Sequence, residues 1–263
     1  WKKMELNYVQ IKKLRSFAKK INIYFICSVF DVESLEKVRN LNIDAYKIAS
    51  SDITDSYLQK YISKEKKPII LSTGMSDKKD IKNCIKNFKT RNLVILHCVS
   101  LYPCEKKQAN LNRIISLKEN FNYAIGYSDH CIGINAAITS IFLGAKVIEK
   151  HFTFNKKKIG LDHKLSADYN DLKAICDFAK DYQYLFGRKK INPSPYEKSF
   201  RKLFRKGIYF RKNVKKGKKI LEKDIIIRRP MNITHPREYE RIINKIAKKN
   251  FSEGETVNKK YIN

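Results

Sequence analysis

The feature that most restricts what this chain can become is a sixfold alternation of two patterns. Short runs rich in β-branched and apolar residues occur at 23–29 (IYFICSV), 45–50 (AYKIAS), 68–73 (PIILST), 93–99 (LVILHCV), 123–128 (YAIGYS) and 146–151 (KVIEKH). Helical patterns fill the intervals at 33–41, 55–65, 77–89, 111–119, 134–143 and 168–185. Strands without a polar face are buried on both sides, and strands regularly separated by helices pair in parallel. The unit returns every ~22–30 residues, a spacing that suits successive strand–helix pairs of an α/β barrel better than an open doubly wound sheet. No GxGxxG follows any of the strands, which also argues against a dinucleotide fold.

The expectation is therefore a TIM-type (β/α)8 barrel lacking its first two strands, over residues 1–187. The chain opens on WKKMELNYVQIKKLRSFAKK, already an amphipathic helix, so a segment ahead of it is expected to be missing. After Leu185 the character changes. Residues 188–203 carry two prolines and read as a linker. Residues 204–263 hold short strands punctuated by KKG and proline, a helix at REYERIINKIAKK and a last strand near ETVNKKYI, which makes a small β-rich second domain.

Composition narrows the function classes. No apolar run approaches ~18 residues, so no membrane partner is expected. The six cysteines form no CxxC pair and sit mostly in apolar segments, as reduced thiols of a cytoplasmic protein do. Lys and Arg number 56 against 26 Asp and Glu, a net charge of +30. The excess is spread over helix faces and turns, densest from Lys198 to Lys219, and reads as compositional bias rather than a specific nucleic-acid surface. A basic field would still favour an anionic small substrate.

Barrel enzymes draw their catalytic groups from the C-terminal ends of strands. Those positions here carry Ser28, Lys47, Ser50 with Asp52, Ser72 with Thr73, His97 with Ser100, Ser128 with Asp129 and His130, and Glu149, Lys150 and His151. Any one serine there is usually a helix cap, whereas six polar strand ends on one rim make a site. His130 and His151 end consecutive strands, so their imidazoles can converge on one Mn²⁺, Zn²⁺ or Fe²⁺ ion. His97, flanked by apolar residues, reads as structural. Lys47 stands in an otherwise apolar strand, either as a clamp for phosphate or carboxylate or as a Schiff-base amine. Lys150 should point away from Glu149 and His151 and pair with another element. Asp162 and His163, in the loop KKKIGLDHKLSAD, could meet a polyol or merely begin the next helix, with Ser166 as a capping candidate. Asp129 either orients the neighbouring histidine or caps a helix.

The segments YKIASSD, PIILSTGM, LHCVSLYP, GYSDHCIGINAAITSIFLGAKVIEKHFT and GLDHKLS occur in the order and spacing of the sialic acid (N-acetylneuraminate and legionaminate) synthases. The tail, with VKKGKKILEKDIIIRRP, resembles the antifreeze-like SAF domain that ends those proteins. The resemblance implies condensation of phosphoenolpyruvate with the open-chain aldehyde of an N-acylated amino sugar, N-acetylmannosamine or 2,4-diacetamido-2,4,6-trideoxymannose, to a nine-carbon 2-keto acid and phosphate. It implies that His130 and His151 hold a divalent metal, usually Mn²⁺. Lys47, Ser50, Ser72, Ser100 and Ser128 match the family's phosphoenolpyruvate positions, and Asp52 and Asp162 match positions facing the sugar. Arg229 matches an arginine that reaches the sugar's N-acyl group in the partner subunit, which implies a homodimer with swapped SAF domains. Asp52 stands where the family commonly has glutamate, GLDH replaces the usual GPDH, and PMNITHP lacks the family's glycines. The family's first two strands supply a glutamate near the metal and a lysine for phosphoenolpyruvate; without them an open barrel of low activity is expected. Two other readings stand beside this one: a Schiff-base barrel aldolase using Lys47, and a basic module binding nucleic acid or acidic glycan through the tail.

Overall fold

The computed structural model describes residues 5–88, 90, 92–187 and 189–263. The chain divides into two compact units, residues 1–187 and 188–263.

The first unit opens with α1 (Tyr8–Lys20), entered through a capping box between Asn7 and Gln10. Residues 1–4 of the amphipathic opening lie outside the described residues. Six strands follow: β1 (Ile26–Ser28), β2 (Ala45–Ile48), β3 (Ile69–Ser72), β4 (Leu93–Cys98), β5 (Ala124–Asp129) and β6 (Ile148–Lys150). All pair in parallel and in chain order, as a six-stranded half-barrel sheet. Between and after them run α2 (Val32–Arg39), α3 (Ser56–Ile62), α4 (Lys78–Lys86), α5 (Asn112–Asn120), α6 (Asn135–Phe142) and α7 (Tyr169–Leu185). The α4 pattern was expected to reach residue 89, and Lys89 lies outside the described residues.

The continuous apolar runs explain this arrangement. Tyr46, Ile48, Ile69, Leu71, Ile95 and Tyr127 from the strands are almost fully buried in one cluster with Leu35, Leu58, Ile62, Ile81 and Ile114 from the helices. Each such side chain contributes roughly 1.5–3 kcal/mol on leaving water, so the sheet must be covered by helices. Aspartates set the helix starts: Asp31, Asp55, Asp77 and Asp168 accept hydrogen bonds from backbone N–H groups in the first turns of α2, α3, α4 and α7. Because the strand order never reverses, the C-terminal ends of β2 to β6 lie side by side on one rim. At the edge, β1 leaves Ile26 and Ser28 exposed.

The second unit corrects two expectations. Residues 188–203, read as a linker, contain most of α8 (Pro195–Phe204). Ser194 caps it, Pro195 occupies the first turn, and Glu197 bonds back to the Ser194 N–H, a complete start signal hidden among prolines. Conversely, the helix expected over REYERIINKIAKK is only a 3-10 turn, Pro236–Arg241. The backbone beyond it pairs instead with distant segments: Ala247 N–H donates to Lys218 O, and Lys248 N–H to Tyr261 O. Tertiary pairing overrides helix propensity here. β7 (Gly207–Phe210) and β8 (Ile225–Arg228) form an antiparallel pair over a core of Ile208, Phe210, Val214, Ile220 and Phe251. No helix among the described residues is long and apolar enough to cross a membrane.

Candidate active site

Lys47, on β2, is 7% exposed. Its Nζ donates to Ile48 O at 3.0 Å and stands 3.7 Å from Glu149 Oε2. Burial pushes the ammonium below its usual value, and the Glu149 carboxylate opposes that shift. The same carboxylate accepts a 2.6 Å hydrogen bond from Ser128 Oγ through its other oxygen. Lys47, Ser128 and Glu149 thus form one polar group at the ends of β2, β5 and β6.

Beside it lies a second cluster. Ser50 opens a 3-10 turn after β2, and its Oγ accepts from the Gly74 N–H at 2.9 Å. A Cβ placed on Gly74 would come within 2.2 Å of Ser100 Oγ, so the absent side chain is what allows these segments to close together. Ser72 Oγ and Ser100 Oγ are buried without a hydrogen-bond partner, as is Asp52 Oδ2. Asp52 Oδ1 accepts from Ser51 Oγ, and burial raises its carboxyl. Buried polar atoms are rarely left unpaired, because each costs about 1–3 kcal/mol. The two free serine hydroxyls, on the same rim as the Lys47 ammonium, can donate to an anion, whereas the Asp52 oxygen can only accept.

The two histidines of the rim do meet. The His130 and His151 ring centroids are 5.3 Å apart, edge to face. His130 Nδ1 lies 2.8 Å from Val99 O. A carbonyl only accepts, so Nδ1 carries a proton, and in the neutral ring Nε2 keeps its lone pair. His151 Nδ1 faces Asp162 Oδ2 at 3.6 Å, within ion-pair range but beyond hydrogen-bond distance. Burial lowers the His151 imidazole's proton affinity. For His130 burial acts in the same direction, but contacts with Cys98 and Val99 outweigh it. An imidazole held through one nitrogen by an acceptor is the usual form of a metal-binding histidine; His130 meets that form, and His151 stands beside it with a carboxylate facing its Nδ1. Among the described residues no three His, Cys, Asp or Glu side chains gather as a ready metal site.

Other expectations resolve individually. Asp129, fully buried, accepts from Lys150 Nζ at 2.8 Å, from the Cys131 N–H at 2.8 Å and from Tyr127 OH at 3.2 Å. It therefore serves an ion pair and a turn and does not cap a helix. Lys150 does pair with another element, as alternation along β6 requires. His97 is fully buried, with Nε2 2.7 Å from Ala109 O, and packs on Tyr127. His163 Nδ1 meets Thr153 Oγ1 at 2.7 Å, and Ser166 bonds Asp162 O rather than capping α7. Arg229 belongs to the second unit, exposed just past β8. Gly74, Cys98 and Tyr102 were not singled out in the sequence. Tyr102 lies over both histidines, 4.1 Å from the His130 ring and 5.9 Å from that of His151. Burial, then the acids around it, raises its phenol. Its place in LHCVSLYP, just beyond a strand end, was the available signal.

Comparison with known proteins defines the class. The profile of the NeuB family matches residues 1–191, and that of the SAF domain matches residues 205–261. The chain belongs to the NeuB family of sialic acid synthases and carries a SAF domain. It is similar to the N,N'-diacetyllegionaminic acid synthase of Campylobacter jejuni, 37% identical, over 97% of this chain and 78% of that protein. A pseudaminic acid synthase of the same species is 36% identical over 88% of this chain and 68% of that one. Among solved structures, the N-acetylneuraminic acid synthetase of Leptospira borgpetersenii, in complex with citrate, superposes with a TM-score of 0.70 at 31% identity. That match covers 74% of this chain and 69% of the other.

Proposed function

We propose that this chain condenses phosphoenolpyruvate with the open-chain aldehyde of an N-acylated amino sugar, giving a nine-carbon sialic-type 2-keto acid and phosphate. The observation that carries the reading is the rim itself: a buried lysine, partnerless serine hydroxyls and a histidine pair, in a member of the NeuB family. The candidate sugars are N-acetylmannosamine and 2,4-diacetamido-2,4,6-trideoxymannose. Identities of 37% and 36% to legionaminic and pseudaminic acid synthases do not separate the substrates.

Lys47, Ser50, Ser72, Ser100 and Ser128 bind the carboxylate and phosphate of phosphoenolpyruvate, which need cationic and hydrogen-bonding partners. The unpaired hydroxyls of Ser72 and Ser100 are supported as donors by having no competing partner. Asp52 and Asp162 accept from sugar hydroxyls, and Asp162 also faces His151 Nδ1 at ion-pair distance, 3.6 Å. His130 and His151 would hold a divalent cation, Mn²⁺ in this reading, which when bound supplies Lewis-acid polarisation of the aldehyde oxygen. A carbon–carbon bond forms between C3 of phosphoenolpyruvate and the aldehyde carbon, water adds at C2, and cleavage of the C2–O bond releases phosphate. Arg229 reaches the N-acyl group from the partner subunit of a swapped homodimer, and the protein works in the cytoplasm.

Phosphate release with Mn²⁺, phosphoenolpyruvate and each sugar tests the proposal; no release with any amino sugar sinks it. Treatment with EDTA should abolish release and added Mn²⁺ restore it. Borohydride trapping of a Lys47 adduct with pyruvate would instead support the aldolase chemistry.

A further inference from the structure

β5 and β6 pair in register as far as Asp129 opposite Lys150, the last residue of each strand. His130 and His151 are the next residues on the two chains, one step beyond the paired positions. There the chains part: Cys131 bridges to Cys104, and Phe152 bridges to Ala167. His130 O accepts from the Cys104 N–H at 2.9 Å, and His151 O from the Ala167 N–H at 2.7 Å. The strand ladder therefore stops short of the histidines, and each is tied to a different segment.

One side chain spans the parting. Lys150 Nζ donates to Asp129 Oδ2 at 2.8 Å and to Cys131 O at 2.6 Å. These are the residues immediately before and after His130, and Lys150 itself immediately precedes His151. Asp129 completes the clasp, because its other oxygen accepts from the Cys131 N–H at 2.8 Å and from Tyr127 OH at 3.2 Å. The Lys150 and Asp129 side chains are 3% and 0% exposed, so solvent does not compete for these bonds. A buried ion pair of this kind contributes little net stability compared with apolar residues of the same volume. What it adds is geometry: directed bonds from one chain to both neighbours of a histidine on the other.

We propose that Lys150 is a positioning residue: by holding the chain on both sides of His130 while preceding His151, it sets the spacing and tilt of the two imidazoles, whose centroids are 5.3 Å apart. The clasp stands on its own hydrogen bonds, and its value to a divalent cation rests on the metal reading proposed above.

The test compares three full chains. They are wild type, K150M/D129N, which removes the clasp without stranding a charge, and I114V, a change to a buried side chain on α5. In metal-free protein the His130 Nδ1 proton, bonded to Val99 O, is followed by nitrogen-resolved NMR. K150M/D129N should exchange this proton about tenfold faster, as the loss of one or two restraining hydrogen bonds implies, while I114V exchanges it at the wild-type rate. Calorimetric titration with Mn²⁺ should show an affinity weaker by about tenfold or more in K150M/D129N and undiminished in I114V. A wild type that binds no Mn²⁺ defeats the metal reading and leaves the proton exchange to judge Lys150. Wild-type exchange in folded K150M/D129N overturns the proposal, as does an undiminished Mn²⁺ affinity there when wild type binds the ion. Equal changes in I114V also overturn it, since they mark a general loss of stability. Should K150M/D129N fail to fold, K150Q/D129N, which keeps polar atoms at both positions, carries the same comparison.

Discussion

A methyl group on Gly74 would stand 2.2 Å from Ser100 Oγ and 2.9 Å from Ser50 Oγ. Gly74→Ala must therefore push at least one of these serines aside. It should raise the KM for phosphoenolpyruvate about tenfold or more, with a melting temperature within a few degrees of wild type, read by steady-state kinetics beside a thermal scan. The Asp129–Lys150 pair makes a contrasting case. Its side chains are 0% and 3% exposed, so removing one partner strands a charge in the interior. Lys150→Met should cost about 3–5 kcal/mol of stability, measured by urea unfolding, and Asp129→Asn in the same chain should return part of it. Residue identity alone could not separate these roles. Serine and aspartate are ordinary at strand ends, and only the neighbour across the sheet shows whether a polar atom is paired.

Secondary structure was most legible where burial is symmetrical. The runs of β2 to β5 read as strands because nearly every residue in them is buried, which leaves no helical period to confuse them. The elements that escaped detection are ruled by ends or by distant partners. α8 starts on Ser194, Pro195 and Glu197, a signal obscured by the second proline at Pro193, and none of its residues is buried. Its stability should therefore depend on its cap. Ser194→Ala should weaken the helix by roughly 1 kcal/mol, seen as faster amide exchange over residues 198–204 and little change elsewhere. The apparent helix near Ile243 failed for the opposite reason. Its periodicity was good, but backbone pairing with Lys218 and Tyr261 claimed the N–H groups that a helix needs.

At the scale of the whole molecule the two units carry separate cores, so their stabilities can respond differently to solvent. The second unit holds Asp224, fully buried on its side chain and 2.9 Å from Lys212 Nζ. Burial alone would raise this carboxyl, but the Leu221 N–H and Lys212 outweigh it and hold the group below the ordinary carboxylate range. A lowered folded-state value means that its contribution is present above the unfolded value of about 3.9 and is lost as pH falls through the folded one. The second unit should accordingly unfold more readily at pH below about 4. In Asp224→Asn the pH slope of its unfolding, followed by fluorescence or amide exchange, should flatten.

The sequence by itself determined the alternation of strands and helices, the change of character after Leu185, and the set of polar strand ends from Lys47 to His151. These follow from local pattern, since the apolar runs and their order are written along the chain. Tertiary structure decided which of those polar groups remain available. Glu149 is committed to Ser128 and Lys47, Asp129 to Lys150, and His97 to Ala109, while Ser72 and Ser100 keep unpaired oxygens. A hydrogen-bonding group has no fixed role until its neighbours are known. On a parallel sheet those neighbours come from other strands, about twenty or more residues away in the chain.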